Sequence, residues 1–504
     1  MKRICVVMSL VLLCMPLIVY SQETTNIKAR QWSDPYLAVG YNTALGYTPS
    51  VALLSQYCSF SSAAVSFDSR EEAGGAFRPE DGDALRCGRF DAKSFLRLKG
   101  NSAVSGEVGY NRAVKRGVVF NETSDYELLR PYVLIDTVGG NLQHEQYSFQ
   151  GAWMRRTDKL VYSVYGSYKA VHEYRSFDPR PRNISSDFKA DISLGYIFSH
   201  GSFVLGYAGY RKYHQNQDVT FMNNTGANTT LFHSTGLGND YFRFRSTGIF
   251  AATRYAGQGF EFGVVGTGVS GKLQYGLAYE LVDITRHLSN QNEAPLSKLG
   301  LEIMKIFVSY HVSPSFAVEA KSEYERRSGR ENVIDCAASG IYNDILSLDM
   351  YTQHKGNISL LGVLRAERSY GIWHVIPSIC WQQSSEEYRY PSSRMKFSML
   401  SGQIYGGFSS IKGSWLYDLS AGATCGGCIG NNCSLQSGEN RIRDAYMDKF
   451  ARWTSNYVQC NANVLVQKEI KNVAAIFSRF SFGEKFYEQG RRISMLTISV
   501  GISY

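Results

Sequence analysis

The chain has 504 residues, with 53 Lys and Arg against 44 Asp and Glu, which gives a formal net charge of +9. The positive charges are spread along the chain without a basic block, so the sequence argues against a nucleic-acid partner. The 34 Tyr, 27 Phe and 47 Gly stand against only 11 Pro, a composition that favours many strands and turns over long helices.

The N-terminus has the features of a secretory signal. Lys2 and Arg3 precede an apolar run over residues 4–19, and residues 19–22 look like a cleavage region. We therefore predict a signal peptide over residues 1–22 and a periplasmic or lumenal segment over residues 23–57. No later apolar run reaches the roughly 20 residues that a transmembrane helix needs, so the mature chain is expected to be secreted, periplasmic or a β-barrel.

Alternation of apolar and polar residues with a period of two is the strongest pattern in the rest of the chain, and it predicts strands. The apolar faces include Phe188, Ala190, Ile192, Leu194, Tyr196 and Phe198 in one segment, Leu273, Tyr275, Leu277 and Tyr279 in a second, and Met304, Ile306, Val308, Tyr310 and Val312 in a third. Many such segments run about ten residues or more, the span that a tilted membrane strand needs, whereas ordinary strands average about five or six.

Short and long links alternate when the strands are followed backwards from the C-terminus. Short links are predicted near residues 469–471, 409–411, 368–371 and 311–315, and long links over residues 425–455, 327–356 and 283–298. Outer-membrane barrels have short periplasmic turns and long external loops, so this rhythm favours a barrel over a soluble sandwich. Residues 111–143 are expected to form either one long loop or a hidden hairpin.

The last strand carries a third indication of a barrel. Apolar residues alternate with small polar ones up to the C-terminus at Leu496, Ile498, Val500, Ile502 and Tyr504. This pattern resembles the terminal strand that the barrel-assembly machinery reads in outer-membrane proteins, with Tyr504 in place of the commoner Phe. We predict an all-β fold, a transmembrane antiparallel up-and-down β-barrel of about 18–20 strands over residues 58–504. Its expected location is the cell outer membrane, in contact with outer-membrane lipid and lipopolysaccharide.

Two sequence segments, residues 174–183 and residues 131–140, are the most distinctive in the chain. Each is called a string below. With the terminal strand, they resemble a family of outer-membrane barrels of unknown function from Gram-negative bacteria that rely on TonB-dependent uptake. The resemblance implies a barrel in the outer membrane and a TonB-dependent receptor system as a partner, but no activity. Only about 35 residues separate the signal from the first predicted strand, whereas an inserted plug domain needs roughly 100, which argues against an ordinary energised receptor.

The first of these strings supplies the main candidate site. It contains Arg175, Asp178, Arg180, Arg182 and Asn183, in a turn that two prolines stiffen. These side chains are interpreted either as a ligand-contacting or lumen-facing loop, or as a rigid turn with solvated charges. Asp136, in the second string, is a further candidate for the same network.

Three cysteines, Cys425, Cys428 and Cys433, lie close together near the C-terminus. Three thiolates fall short of the four ligands that structural zinc sites usually have, and two asparagines between the last two cysteines favour a loop tip. A loop disulfide is the prediction, with metal binding or free thiols as the alternatives. No cofactor or metal is predicted.

Three classes of function remain open. The first, which we favour, is a channel or accessory protein for solute or nutrient uptake across the outer membrane. The second is a surface-binding barrel without conductance, and the third a barrel-borne hydrolase. No Gly-x-Ser-x-Gly elbow occurs and the nine histidines are scattered, so an enzyme is not predicted. Charges of both signs on the polar strand faces predict a lumen filled by charged side chains and inward-folded loops, with residues 425–455 and 327–356 as constrictors.

Overall fold

The structure is a computed structural model, and it describes residues 45, 48–55, 59–198, 202–222, 231–245, 251–268, 271–289, 293–335, 344–436, 440–470 and 474–504. The predicted signal peptide over residues 1–22, and residues 23–44 of the predicted N-terminal segment, lie outside the described residues. Among the described residues, no helix is long and apolar enough to cross a membrane.

The described chain is built almost entirely from antiparallel strands, with three short helices and a few 3₁₀ turns. The strands are β1 (Phe60–Ala73), β2 (Ala84–Leu98), β3 (Ser102–Val118), β4 (Leu134–Asp136), β5 (Gly140–Arg156), β6 (Leu160–Tyr174), β7 (Arg180–Ile197), β8 (Phe203–Thr220), β9 (Leu231–Gly236), β10 (Asn239–Asp240), β11 (Thr253–Thr267), β12 (Leu273–Leu288), β13 (Ala294–Ser313), β14 (Phe316–Ile334), β15 (Asp344–Arg368), β16 (Gly371–Tyr388), β17 (Ser393–Lys412), β18 (Trp415–Ser434), β19 (Tyr457–Ile470), β20 (Ala474–Tyr487) and β21 (Arg492–Ser503). The helices are α1 (Pro49–Ser55), α2 (Tyr126–Leu129) and α3 (Asn440–Trp453).

Eighteen of the described strands close into one barrel, and β4, β9 and β10 form a separate small sheet. Closure comes from pairing of the first strand with the last, with Val65 opposite Val500 in the antiparallel β1–β21 ladder. Closure leaves no strand edge exposed to lipid, as a membrane barrel requires. The predicted antiparallel barrel and its strand number are confirmed.

The faces of the strands are also as predicted. On β7, Ile192 and Leu194 point outward and are 64% and 62% exposed, whereas on β13 Ser309 points into the barrel and is 1% exposed. The outer wall is apolar because lipid surrounds it, and the inner face carries most of the polar residues.

The two ends of the barrel differ in the length of their links. Both the start of β1 and the end of β21 lie at the end with short links, so this is the periplasmic end. The predicted rhythm of links holds, but the predicted limits of the long ones are wrong. Residues 435–456, 335–343 and 289–293 connect the strands there, because the strands continue past the membrane belt into the external space.

Residues 111–143 do not form a barrel hairpin. Strand β3 continues to Val118, and β5 begins at Gly140. The link of residues 119–139 between them carries α2 and β4, and β4 pairs with β9 of another long link, residues 221–252. These two links fold into the barrel, where they form the core of its outer half.

Candidate functional site: the filled lumen

The outer half of the lumen is filled by an apolar layer, called the outer layer here, made equally of wall and loop residues. The wall residues are Tyr213, Tyr255, Val282, Ile284, Leu299, Leu301, Tyr351, Tyr388 and Met395; the loop and helix residues are Tyr126, Leu129, Tyr132, Val133, Ile135, Phe232, Leu237, Ile442 and Phe450. Burial of so many apolar side chains stabilises the inward fold of the loops. The predicted inward-folded loops therefore exist, but residues 119–139 and 221–252 supply most of the loop residues of the layer, and α3 supplies the rest.

A second apolar layer, the inner layer, lies near the periplasmic end. Leu45, Val51 and Leu53 of the N-terminal segment pack there against wall residues of β2, β3, β5, β6, β8 and β11–β13. Two polar contacts fix the position of α1: the hydroxyl oxygens of Ser50 and Ser193 lie 2.7 Å apart, and Arg97 Nη2 donates to the carbonyl of Leu53 at 2.7 Å. The helix therefore lies inside the barrel.

Charged side chains occupy the level between the two apolar layers. Strand β8 shows the order from the periplasmic end outward: Leu205 in the inner layer, Arg211 in the charged level and Tyr213 in the outer layer. Arg211 binds the carboxylates of Asp187 at 2.8 Å and Glu280 at 3.0 Å. Charges of opposite sign on neighbouring strands attract one another, so this level joins the wall strands through ion pairs.

The charged level contains a cavity of about 140 Å³. Its ionisable lining residues are Lys189, Asp191, Glu261, Glu280 and Lys305, with Tyr165, Tyr207 and the N-terminal Thr48 and Pro49 beside them. Lys189 Nζ lies 3.9 Å from Glu261 and 3.8 Å from Glu280, separations that leave Lys189 only loosely paired. At about 30 Å³ for each water molecule, a cavity of this size holds about five waters or one small solute.

Part of the predicted candidate site forms a fully buried ion cluster. Arg175 Nη1 lies 2.9 Å from Glu122 and 3.1 Å from Asp136, and all three side chains are at most 1% exposed. Asn183 Nδ2 donates to the carbonyl of Glu122 at 2.8 Å. The backbone N–H of Val138 donates to Asp136 at 2.7 Å. The structure thus brings Arg175, Asn183 and Asp136 together, and adds Glu122, which no periodic pattern in the sequence distinguishes.

The other predicted residues of the string lie apart from this cluster. Asp178 pairs with Arg180 at 2.7 Å and accepts a hydrogen bond from the backbone N–H of Met222 at 2.9 Å, at the outer mouth. Arg182 is exposed and lies opposite Asp218 on the β7–β8 ladder. Arg182 therefore points to the outside of the barrel, because the residues of a strand alternate between its two faces.

A second anchor holds the link of residues 119–139 against the wall. Asp125 pairs with Lys169 at 3.0 Å and accepts hydrogen bonds from Ser185 at 2.8 Å and Tyr213 at 2.9 Å. Burial alone would raise the pKa of Asp125, but the charge of Lys169 and these hydrogen bonds outweigh it and lower the pKa. Asp125 is therefore held as a carboxylate.

A buried ion pair fastens α3 over the outer layer. Lys449 pairs with Glu80, a residue 369 positions away, and Tyr126 donates a hydrogen bond to the same carboxylate at 2.9 Å. The ammonium group also lies 4.7 Å from the ring centroid of Trp453. Burial opposes the ionisation of Glu80, but the charge of Lys449 prevails and lowers the pKa of Glu80. No local pattern could reveal a contact between residues so far apart in sequence.

The predicted cysteine loop is wrong. Cys425, Cys428 and Cys433 all lie in β18 and none of them forms a disulfide in the described structure. Cys428 and Cys433 are five residues apart along a strand, about 16 Å, which is beyond the 6.8 Å that usually limits Cα separation in a disulfide.

The last strand pairs with both of its neighbours, β20 and β1. Ile498 and Val500 are 41% and 54% exposed on the outer wall. The recognition of this strand by an assembly machinery stays a prediction.

A family model described as "Family of unknown function (DUF6850)" matches residues 50–504. The chain belongs to DUF6850. No curated protein sequence matches it significantly. The family is one of unknown function, and the closed barrel of 18 antiparallel strands agrees with the resemblance stated from the sequence.

Several solved structures resemble this DUF6850 barrel. The siderophore receptor PiuA from Acinetobacter baumannii is 8% identical, with 89% of this chain and 82% of that chain covered at a TM-score of 0.41. The outer membrane transporter YddB from Escherichia coli is 7% identical, with 88% and 80% covered at a TM-score of 0.41. The ferric citrate transporter FecA is 12% identical, with 88% and 78% covered at a TM-score of 0.39. The assignment to a closed barrel follows from the chain's own strand pairing.

Proposed function

We propose that this DUF6850 protein takes up a small polar solute across the outer membrane, through a lumen that its own loops close at rest. The observation that carries the proposal is the order of the lumen: an apolar layer near each end, and between them a charged level with a cavity of about 140 Å³. Solute-binding sites commonly combine such enclosure with a few convergent polar groups. The proposal assigns transport and not catalysis.

The outer layer is closed by elements that polar contacts hold in place, so opening requires those contacts to break. The ion cluster of Arg175 fixes residues 119–139 to the wall, and the Glu80–Lys449 pair fixes α3 above them. The two contacts are connected, because Tyr126 of the 119–139 link donates a hydrogen bond to Glu80, the partner of Lys449. The link and α3 therefore close the barrel together. A solute that competes for these charges would release both elements.

The same proposal assigns partners to the outer surface. Lys212 on β8 and Lys396 on β17 are exposed on the outward face of the external half, where they suit the anionic groups of lipopolysaccharide. The barrel-assembly machinery would bind β21. A TonB-dependent receptor system would act with this barrel rather than through it.

Influx of small solutes into proteoliposomes tests the proposal. Replacement of residues 120–138 by a short Gly/Ser linker removes more than half of the loop residues of the outer layer. The influx of a small sugar or amino acid should therefore rise at least tenfold over wild type. A matched control replaces the exposed turn of residues 389–392 by Gly/Ser and should leave influx unchanged. Heat-modifiable gel mobility verifies that each barrel is folded.

Two outcomes would overturn the proposal. Fast influx through the intact protein would make it a general porin. An unchanged, negligible influx after the loop replacement in a folded barrel would favour a surface-binding barrel without conductance.

A further inference from the structure

Sulfur-bearing side chains line the inner wall where β17 and β18 pair. Met395 lies directly opposite Cys433, and Met399 directly opposite Cys428. Residues directly opposite one another in a ladder point to the same face of the sheet. Met395 and Met399 are 2% and 8% exposed, and Met395 belongs to the outer layer, so both thiols also face the lumen.

Helix α3 brings a third sulfur to the outer of these two pairs. Met447 Sδ lies 3.5 Å from Cys433 Sγ. Met447 is 44% exposed, so its contact with the thiol is not a consequence of core burial. The thiol of Cys433 thus contacts a thioether of α3, and its cross-strand partner on β17 is a second methionine, Met395, at the external mouth of the lumen.

We propose that Cys433, Met447 and Met395 bind a soft monovalent metal ion of the Cu(I) class. Thiolate and thioether sulfur select soft ions, whereas Mg²⁺ and Ca²⁺ prefer oxygen ligands. Metal–thiolate bonds of about 2.3 Å allow two sulfur atoms 3.5 Å apart to share one ion without rearrangement of the backbone. The metal displaces the thiol proton, since the thiolate is the ligand.

The side chains around Cys433 do not suit harder metal ions such as Zn²⁺, Mg²⁺ or Ca²⁺. In the described part of the chain, no group of three or more His, Cys, Asp or Glu side chains could hold a metal ion. The ligand set depends on methionine, which binds soft ions and contributes little to a zinc site. The spacing of the cysteines alone could not show this, because two of the three ligands are methionines from β17 and α3.

A second sulfur pair extends the line of ligands into the barrel. Cys428 and Met399 lie four residues deeper on β17, about 13 Å along the strand. With only two sulfur ligands, this pair should bind a soft ion more weakly than the three ligands at the mouth. An ion bound at the mouth would therefore meet this second pair of sulfur ligands on the lumenal side.

Titration with Cu(I) tests the proposal on the purified full-length barrel. Anaerobic titration in detergent, against a chromophoric Cu(I) chelator and with ascorbate as reductant, should show one tight site per chain. Cys433→Ser should weaken that site at least a hundredfold and Met447→Leu at least tenfold. Cys460→Ser is the matched control, because Cys460 is exposed on the outer wall, and it should bind as wild type does. X-ray absorption should show sulfur neighbours only.

The outcomes that reject the site are equally definite. Equal Cu(I) affinity in wild type and Cys433→Ser would reject it, and so would Zn(II) competing as well as Cu(I). Loss of binding in the Cys460→Ser control would place the ion elsewhere. Heat-modifiable mobility identifies any variant that fails to fold. If Cys433→Ser fails to fold, the Cu(I) affinity of Met447→Leu decides, because that substitution conserves volume at an exposed helix position.

Discussion

Two buried carboxylates share a single guanidinium in the lumen, and this imbalance makes Arg175 the most critical charged side chain of the closure. Glu122 and Asp136 are fully buried, and both depend on Arg175 for charge compensation. Removal of one partner from a buried ion pair leaves an uncompensated charge, which costs far more than the pair itself contributes.

Arg175→Met should therefore destabilise the barrel by about 3–5 kcal/mol, whereas Glu122→Gln, which removes the excess negative charge, should cost much less. Unfolding in urea, followed by loss of heat-modifiable mobility, measures both. Arg182→Met, seven positions further along the chain on β7, is the matched control and should be close to neutral, because that side chain is exposed. Similar midpoints for the Arg175 and Arg182 variants would contradict this account of the cluster.

Sequence reasoning identified three members of this cluster and missed the fourth. Arg175 and Asn183 stand in a distinctive string, and Asp136 in a second one, so unusual local composition made them visible. Glu122 lies in a link without strand or helix periodicity. Its role depends on how residues 119–139 fold back into the lumen, a tertiary arrangement that no local pattern specifies. Arg182, by contrast, was grouped with the others although its strand position directs it outward.

At the level of elements, the packing of α3 against the outer layer should depend on pH. The direction of this dependence should be opposite in the wild type and in Lys449→Met. In the wild type the pKa of Glu80 lies below its ordinary value of 4.5, so docking is strongest above pH 4.5 and is lost as the pH falls further. In Lys449→Met the charge that lowers the pKa of Glu80 is gone, and we expect burial to outweigh the remaining hydrogen bond from Tyr126 and to raise that pKa. Docking should then be weak at pH 7 and improve as the pH falls.

Limited proteolysis of the α3 link, or the fluorescence of Trp453, between pH 3 and 7.5 measures this reversal. Arg443→Met is the control, since Arg443 pairs only with the exposed Asp444 among the described residues, and it should follow the wild-type curve. Parallel curves for wild type and Lys449→Met would mean that the Glu80–Lys449 pair does not hold α3.

The orientation of β17 gives a second test at this scale. Ile404 is 65% exposed on the lipid face, and its neighbour Gln403 points into the lumen, where it accepts from Ser378 at 3.5 Å. Arginine at a lipid-facing position near the bilayer midplane costs about 2–4 kcal/mol. Ile404→Arg should therefore lower the yield of folded barrel in the membrane, and Gln403→Arg should not. The reverse result would shift the register of β17 by one residue.

The elements also show what a period-two pattern can and cannot specify. Lipid on one side imposes strict alternation, so the faces of β7, β12 and β13 could be predicted. The strand ends could not, because β15 and β18 continue beyond the membrane. There the outer face meets water in place of lipid, and the pattern no longer distinguishes strand from loop. The cysteines of β18 were assigned to a loop for this reason.

For the whole molecule, the arrangement of the lumen separates this barrel from an open pore. The predicted charged interior exists, but one charged level lies between two apolar layers, and further buried ion pairs hold the outer closure in place. Those layers were hidden in the sequence because their wall residues, such as Val282 and Leu301, sit on inner faces that alternation assigns to polar residues. Apolar side chains on the inner face of a barrel strand are therefore a signal for loops that fold inward.

The central claim is that the intact barrel is closed at rest. The conductance of the purified wild-type protein in a planar lipid bilayer tests it most directly. The structure predicts little or no current, and weak ion selectivity when openings occur, because the charged level carries both signs rather than a ring of one sign. A large, stable current with strong anion or cation selectivity would contradict the account.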